Sequence, residues 1–334
     1  MKIGNNFFVI LFLCICFFVL GVLSEKIFFN KYFLEFEKQK KNESLRSLTT
    51  ERKFTNPLLD CEPNFRYIRP KLETVIIDKV NSFKKNQSIK QISVYFRELN
   101  NGAWYGVNEK EKFIPASLNK VPLMIAAFKL SEESPEILNL KFSFDESSGV
   151  FKKIDTSKTT DKKEKIYNLY DVLEYMIRYS SNETAGFLID LLNSFNKNFV
   201  DKVFNDLGIK PPRAKEEYLM TIKDYASFLR VLYNSTYINN KNSEKALFFL
   251  SETEFKDGLV KGIDDNVVIA HKYGQISDNK LFQLHDCGII YFPGNNYILC
   301  VMVKGFNIDQ MAKVIQGVSK AVYDEIKTQV SNPL

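Results

Sequence analysis

The strand-like runs of this 334-residue chain lie near its two ends, with a helical stretch between them. "ISVYFREL" places Ile92, Val94 and Phe96 on one face, and Asn101-Gly102 turns it back into "AWYGVN". Near the C-terminus, "NVVIAHKYG", "CGIIYF" and "YILCVMVKG" read as three further strands, the last two joined by Pro293-Gly294-Asn295-Asn296. Antiparallel strands from both ends are expected to form one sheet. The order predicts an α/β (α+β) fold: a five-stranded antiparallel sheet flanked by helices, plus an all-helical lobe. A cleft between two such lobes is a favoured place for a small-molecule site.

Helical spacing fills the rest. "RPKLETVIIDKVNSF" precedes the first strand, with Leu72, Val75, Ile76, Val80 and Phe83 at helix intervals. The middle carries "SLNKVPLMIAAFKL", "NLYDVLEYMIRY", "NETAGFLIDLLN", "IKDYASFLRVLY" and "SEKALFFLSE", and an amphipathic helix from Asp309 to about Lys327 closes the chain. Asp145 to Lys165 is rich in Lys, Ser and Thr and reads as a solvated loop or small excursion.

At the N-terminus, Phe7 to Leu23 forms seventeen apolar residues without a charge. That length is the lower limit for a membrane-spanning helix and exceeds a usual signal-peptide core. The expected organisation is a cytoplasmic start at 1–6, an anchor or signal segment at 7–23, a polar linker at 24–65 and a catalytic domain at 66–332. Five lysines follow the span within twenty residues, which by the positive-inside rule alone would place the domain in the cytoplasm. Glu25, Glu35 and Glu37 make that flank mixed, and the function implied by the motifs points outward. The formal charge of +6 is spread along the chain and accompanies no nucleic-acid motif. Of five cysteines, Cys14 and Cys16 lie in the apolar run. Cys287 and Cys300 sit on one hairpin, where a bridge is conceivable. A turn at Pro293–Asn296, however, would set Cys287 against Met302 and Cys300 against Ile289, so buried free thiols are the preferred expectation.

Ser-x-x-Lys occurs four times, as Ser82/Lys85, Ser117/Lys120, Ser194/Lys197 and Ser277/Lys280. A serine becomes a nucleophile when a base stands beside it, and a lysine serves if desolvation lowers its pKa. A helix start supplies this, because i and i+3 share a face there. Ser117 fits: it follows Pro115-Ala116 and opens the apolar helix "VPLMIAAF", which would bury Lys120. Ser-x-Asn also recurs, and its Ser180-Ser181-Asn182 copy falls between two helical segments. A short loop there could present both polar side chains, or Ser181 or Asn182 could simply cap the next helix. Lys272-Tyr273-Gly274 ends an apolar strand. A lysine in an inner strand is expected to face a pocket, and the glycine to let a substrate approach the backbone. "HKYGQISDNK" goes on to spell a literal Ser-Asp-Asn at Ser277–Asn279, and there Lys280 would have no helix to lower its pKa.

Together, Ser117–Lys120, Ser180–Asn182 and Lys272–Gly274 resemble the S-x-x-K, S-D-N and K-T-G trio of the class A β-lactamase and penicillin-binding protein superfamily. They stand in that order, in the contexts "PASLNKVPLM", "IRYSSNETAGFLI" and "VIAHKYGQI", and the likeness covers about residues 68 to 330. The resemblance implies an acyl-enzyme on Ser117 with Lys120 as general base. Ser180 would relay a proton to the leaving nitrogen, Asn182 would bind a substrate amide, and Lys272 would support the relay and attract a carboxylate. The backbone N–H groups of Ser117 and Gln275 would form an oxyanion hole, each donor contributing roughly 10²–10³-fold in rate. Tyr273, Gly274 and Gln275 would line the substrate.

Three residues depart from the pattern. Ser181 replaces the aspartate of S-D-N, and Tyr273 replaces a small hydroxyl of K-T-G. The acidic loop whose glutamate activates the deacylating water is represented only by "AKEEYLM", where Glu216, or its neighbour Glu217, offers the carboxylate. A Ser-His-Asp triad fails, since Asp286 adjoins His285 and cannot orient its own neighbour. His285-x-Cys287 could place two metal ligands on one face, without further ligands near them. No cofactor or metal is expected. The reading is a membrane-anchored, extracytoplasmic, monomeric serine hydrolase acting on β-lactams. The alternatives are a penicillin-binding D,D-peptidase acting on D-alanyl-D-alanine-like stem peptides, or a non-turnover sensor or binding module.

Overall fold

The computed structural model describes residues 53–56, 70–154, 165–213, 216–278 and 281–331. The expected membrane segment, residues 7–23, lies outside the described residues. No helix among the described residues is long and apolar enough to cross a membrane.

Helix α1 (Pro70–Phe83) leads into strands β1 (Ile89–Glu98) and β2 (Trp104–Val107). A short β3 (Lys112–Phe113) and a single 3-10 turn, Ala116–Asn119, then run into helix α2 (Lys120–Glu133). The middle of the chain holds β4 (Phe142–Asp145), β5 (Val150–Lys153), α3 (Leu169–Arg178), α4 (Asn182–Phe195), α5 (Phe199–Asp206), β6 (Met220–Thr221), α6 (Ile222–Asn234) and α7 (Asn240–Ser251). Strands β7 (Ile269–Asp278), β8 (Leu281–Ile290) and β9 (Tyr297–Gly305) precede the closing helix α8 (Ile308–Ser331).

Strands from both ends form one antiparallel sheet of order β2-β1-β9-β8-β7, the architecture expected from sequence. Alternation divides each strand between two cores. Ile92, Val94 and Phe96 pack with α1 and α8 on one face. On the other, Tyr95, Ala270, Ile289 and Met302 meet the helical lobe, whose centre is α2. Valine, leucine, methionine, isoleucine and phenylalanine bury α2 on nearly every side, as suits a helix enclosed by others.

The lobe is not wholly helical. The stretch expected to be a solvated loop or small excursion includes the turn and second strand of the β4–β5 hairpin, because Phe144 and Phe151 pack tilted on each other and against Tyr175. Part of the expected linker is also docked. Phe54 is buried, Glu244 accepts from the Phe54 and Thr55 N–H groups, and Tyr291 Oη–H donates to Phe54 O at 3.1 Å.

The free-thiol expectation is overturned: Cys287 and Cys300 form a disulfide. The turn is centred on Pro293-Gly294, with Asn295 N–H closing on Phe292 O at 2.9 Å and Gly294 at φ 78°. Proline then glycine at these two positions suits a type II turn. This centre pairs Ile290 with Tyr297, which brings Cys287 directly opposite Cys300. A turn centred one residue later would have separated them.

Candidate active site

Ser117 lies in the 3-10 turn that feeds α2. The residue before it, Ala116, adopts φ 50°, a left-handed conformation that costs a residue with a Cβ. Packing holds it there. Leu118 N–H closes on Pro115 O at 3.0 Å, and β7 presses on the same carbonyl through Gly274. A Cβ on Gly274 would stand 2.7 Å from Pro115 O and 3.1 Å from Leu118 Cγ. The close approach expected for substrate is therefore made by the chain's own serine-bearing turn.

Lys120 is the first residue of α2. Its Nζ lies 2.8 Å from Ser117 Oγ and 2.6 Å from Asn182 Oδ1. Burial lowers its pKa to about 8, opposed in part by the Glu183 carboxylate. A neutral amine can thus accept the Ser117 proton near physiological pH.

The loop between α3 and α4 uses its two serines differently. Ser181 caps α4, accepting from Thr184 N–H at 3.0 Å. Ser180, at φ 56°, turns its hydroxyl to Lys272, whose Nζ donates at 2.9 Å. Capping and presentation both occur, one on each serine. Strand β7 is a sheet edge, not the inner strand expected, and Lys272 is nevertheless wholly buried. Burial, and then the Lys120 charge, lowers Lys272 to about 7, while Asp286 pulls the other way. Repulsion between the two ammonium groups means the clusters titrate as neighbours.

Beyond Lys272, the Tyr273 ring stacks on Phe255 with centroids 4.2 Å apart, and the Lys272 ammonium sits 4.2 Å from the Tyr273 centroid. Gln275 follows Gly274 on β7 with its side chain exposed. Glu216 is not brought to this cluster. It is exposed and meets Lys210 at 3.4 Å, and among the described residues no hydrogen bond links it to Ser117 or Lys120.

The other Ser-x-x-Lys copies have different partners. Ser82 donates to Lys79 O at 2.6 Å, and Ser194 to Leu191 O at 2.7 Å, each back-bonding within its own helix. Ser277 is an exposed residue of β7 paired with Phe282, and Lys280 lies outside the described residues.

Neither histidine serves a serine. His285 Nε2 bonds Ile114 O at 3.0 Å and His271 Nδ1 bonds Asp286 Oδ1 at 2.8 Å, both side chains being buried. Cys287 is held in the disulfide, so the His285-x-Cys287 pair is not a ligand pair. Among the described residues no group of three metal-ligating side chains occurs. Sequence reasoning missed the His271–Asp286 contact, which joins diagonal neighbours across β7 and β8. The register that pairs Tyr273 with Asp286 is the signal that would have found it.

Several solved structures share this fold. A PBP-A point mutant, an acyl-enzyme complex with penicillin-G, is 20% identical at a TM-score of 0.62, over 76% of this chain and 97% of that one. A class A β-lactamase from Bacteroides cellulosilyticus is 19% identical at 0.63, over 77% and 99%. TLA-3 extended-spectrum β-lactamase is 19% identical at 0.64, over 77% and 98%. No curated protein matches the sequence. A model of the beta-lactamase enzyme family matches residues 74–326, the stretch that carries the sheet, the helical lobe and the paired Ser–Lys contacts, and the chain belongs to that family.

Proposed function

We propose that this chain is a serine acyl-transfer enzyme that opens β-lactam amides by forming an ester on Ser117. The observation that carries the reading is the double Ser–Lys contact, Ser117 with Lys120 at 2.8 Å and Ser180 with Lys272 at 2.9 Å. Ser117 Oγ attacks the carbonyl carbon while its proton passes to neutral Lys120 Nζ. As the C–N bond breaks, Ser180 gives its proton to the departing nitrogen and is resupplied from Lys272. Ser117 and Gln275 N–H groups would hold the oxyanion, and Asn182 the substrate amide. Lys272, beside Tyr273 and Gly274, would draw an anionic group of the substrate.

Release of the acyl group needs an activated water. With Glu216 paired to Lys210, the placement favours a long-lived acyl-enzyme, as suits a penicillin-binding D,D-peptidase, over rapid β-lactam turnover. The PBP-A neighbour, captured as a penicillin-G acyl-enzyme, supports the acylation step. The apolar segment 7–23 would tether a monomeric catalytic domain at the outer membrane face, which a reporter fused after residue 60 tests.

Purified protein is to be incubated with penicillin G and a chromogenic cephalosporin, then examined by intact mass. A persistent adduct that Ser117→Ala abolishes is expected. Rapid turnover would identify a β-lactamase instead, and neither adduct nor turnover would overturn both readings.

A further inference from the structure

The segment leading to Ser117 crosses the sheet, and each strand beneath it supplies a hold on its backbone. Over β9, Lys304 Nζ donates to Lys112 O at 2.7 Å. Over β8, Gln283 Oε1 accepts from Ile114 N–H at 3.1 Å, and His285 Nε2 bonds Ile114 O at 3.0 Å. Over β7, Gly274 lies against Pro115 O. These positions share one face of the sheet, because Lys304 pairs with Gln283 and His285 pairs with Gly274.

β3 ends at Phe113, and among the described residues no strand backbone pairs with the N–H and C=O of Ile114. Ile114 is half-buried, and a peptide group shielded from water needs both bonds satisfied; one glutamine and one histidine supply them. Gln283 and His285 are themselves 5% and 0% exposed. Burial lowers His285 to about 4, so it is neutral at working pH, and the facing carbonyl fixes the proton on Nε2. Phe113 meets the imidazole edge-on at 5.4 Å and fixes the ring plane. Ala116 with its left-handed φ and then Ser117 follow within three residues of this grip.

We infer that Gln283 and His285 are positioning residues for the nucleophile: they clamp the Ile114 peptide and so set where the Ser117 hydroxyl stands relative to Lys120. The inference rests on the acyl-transfer reading above. A displacement of about 1 Å at a nucleophile can cost about a hundredfold in rate.

The test uses the full-length protein with Gln283→Met, which removes the acceptor, His285→Leu, which removes the donor, and His285→Gln, which keeps an N–H at similar reach. Hydrogen exchange by mass spectrometry is read over peptides spanning 112–120. Penicillin G acylation is read as separate binding and rate constants, well below the unfolding temperature. Both removals are expected to quicken exchange there and to lower the acylation rate constant at least about tenfold. Non-covalent affinity and the pH midpoints should stay unchanged, and His285→Gln should recover most of the loss. Unchanged exchange in 112–120 would overturn the clamp, and faster exchange with an undiminished acylation rate would overturn positioning. If the parent fails to acylate at all, the functional reading falls, and the exchange data still decide whether the clamp exists.

Discussion

Lys272 should cost the fold stability in a way that depends on pH. Its pKa falls from 10.5 to about 7, with burial as the first cause. Every tenfold loss of proton affinity corresponds to about 1.4 kcal/mol, so holding the charged form inside costs about 5 kcal/mol near pH 6. At pH 9 the folded protein has lost this proton while the unfolded chain keeps it. The remaining cost is that of deprotonating a free lysine at that pH, about 2 kcal/mol. Between pH 7 and about 10.5 the unfolded state binds more protons, so this site makes the parent more stable as pH rises.

Lys272→Met fills similar volume without the charge and removes that slope. The variant should gain stability over the parent at pH 6, by an amount that shrinks by about 2–3 kcal/mol on moving to pH 9. Urea unfolding of parent and variant at both pH values measures it. The same variant should acylate far more slowly, since Ser180 loses its donor at 2.9 Å. A stability difference equal at pH 6 and pH 9 would refute the claim that a desolvated ammonium stands at this position.

Three further outcomes are expected. Acylation should peak between about pH 7 and 8 and fall on either side, because Lys120 must be neutral while Lys272 keeps its proton; a rate flat from pH 6 to 9 would contradict these roles. Gly274→Ala, whose Cβ would press within 2.7 Å of Pro115 O, should lose about 1–3 kcal/mol of stability by thermal unfolding and most of its acylation rate. Cys300→Ala should lower stability by about 2–4 kcal/mol in urea, because the disulfide closes a loop over a sequence separation of 13.

Much of the fold was legible because strands and helices differ in local period. Ile92, Val94 and Phe96 face one core as their alternation required, and the strands from both ends share one sheet. The β4–β5 hairpin escaped because its lysines and serines mask two inward phenylalanines, which become visible only against Tyr175. The disulfide escaped through a turn centre one residue off, an error that moves every cross-strand partner. Within the site, Ser117–Lys120 could be ranked first from sequence because a helix start beside an apolar run implies burial. The clamp at Ile114 left no local trace, since Gln283 and His285 lie more than 160 residues along the chain from it.

The sequence by itself determined the order of the five sheet strands and of most helices, and the three short motifs, because periodicity and spacing are local properties. It also made Ser277–Lys280 look like the best-spelled copy. Only the tertiary structure decided that Ser180 serves Lys272, that Ser277 stands exposed on an edge strand, and that two lysines are dry enough for their pKa values to fall towards neutrality. Desolvation and strand register depend on what the rest of the chain places around a residue, and no spacing within one segment encodes that.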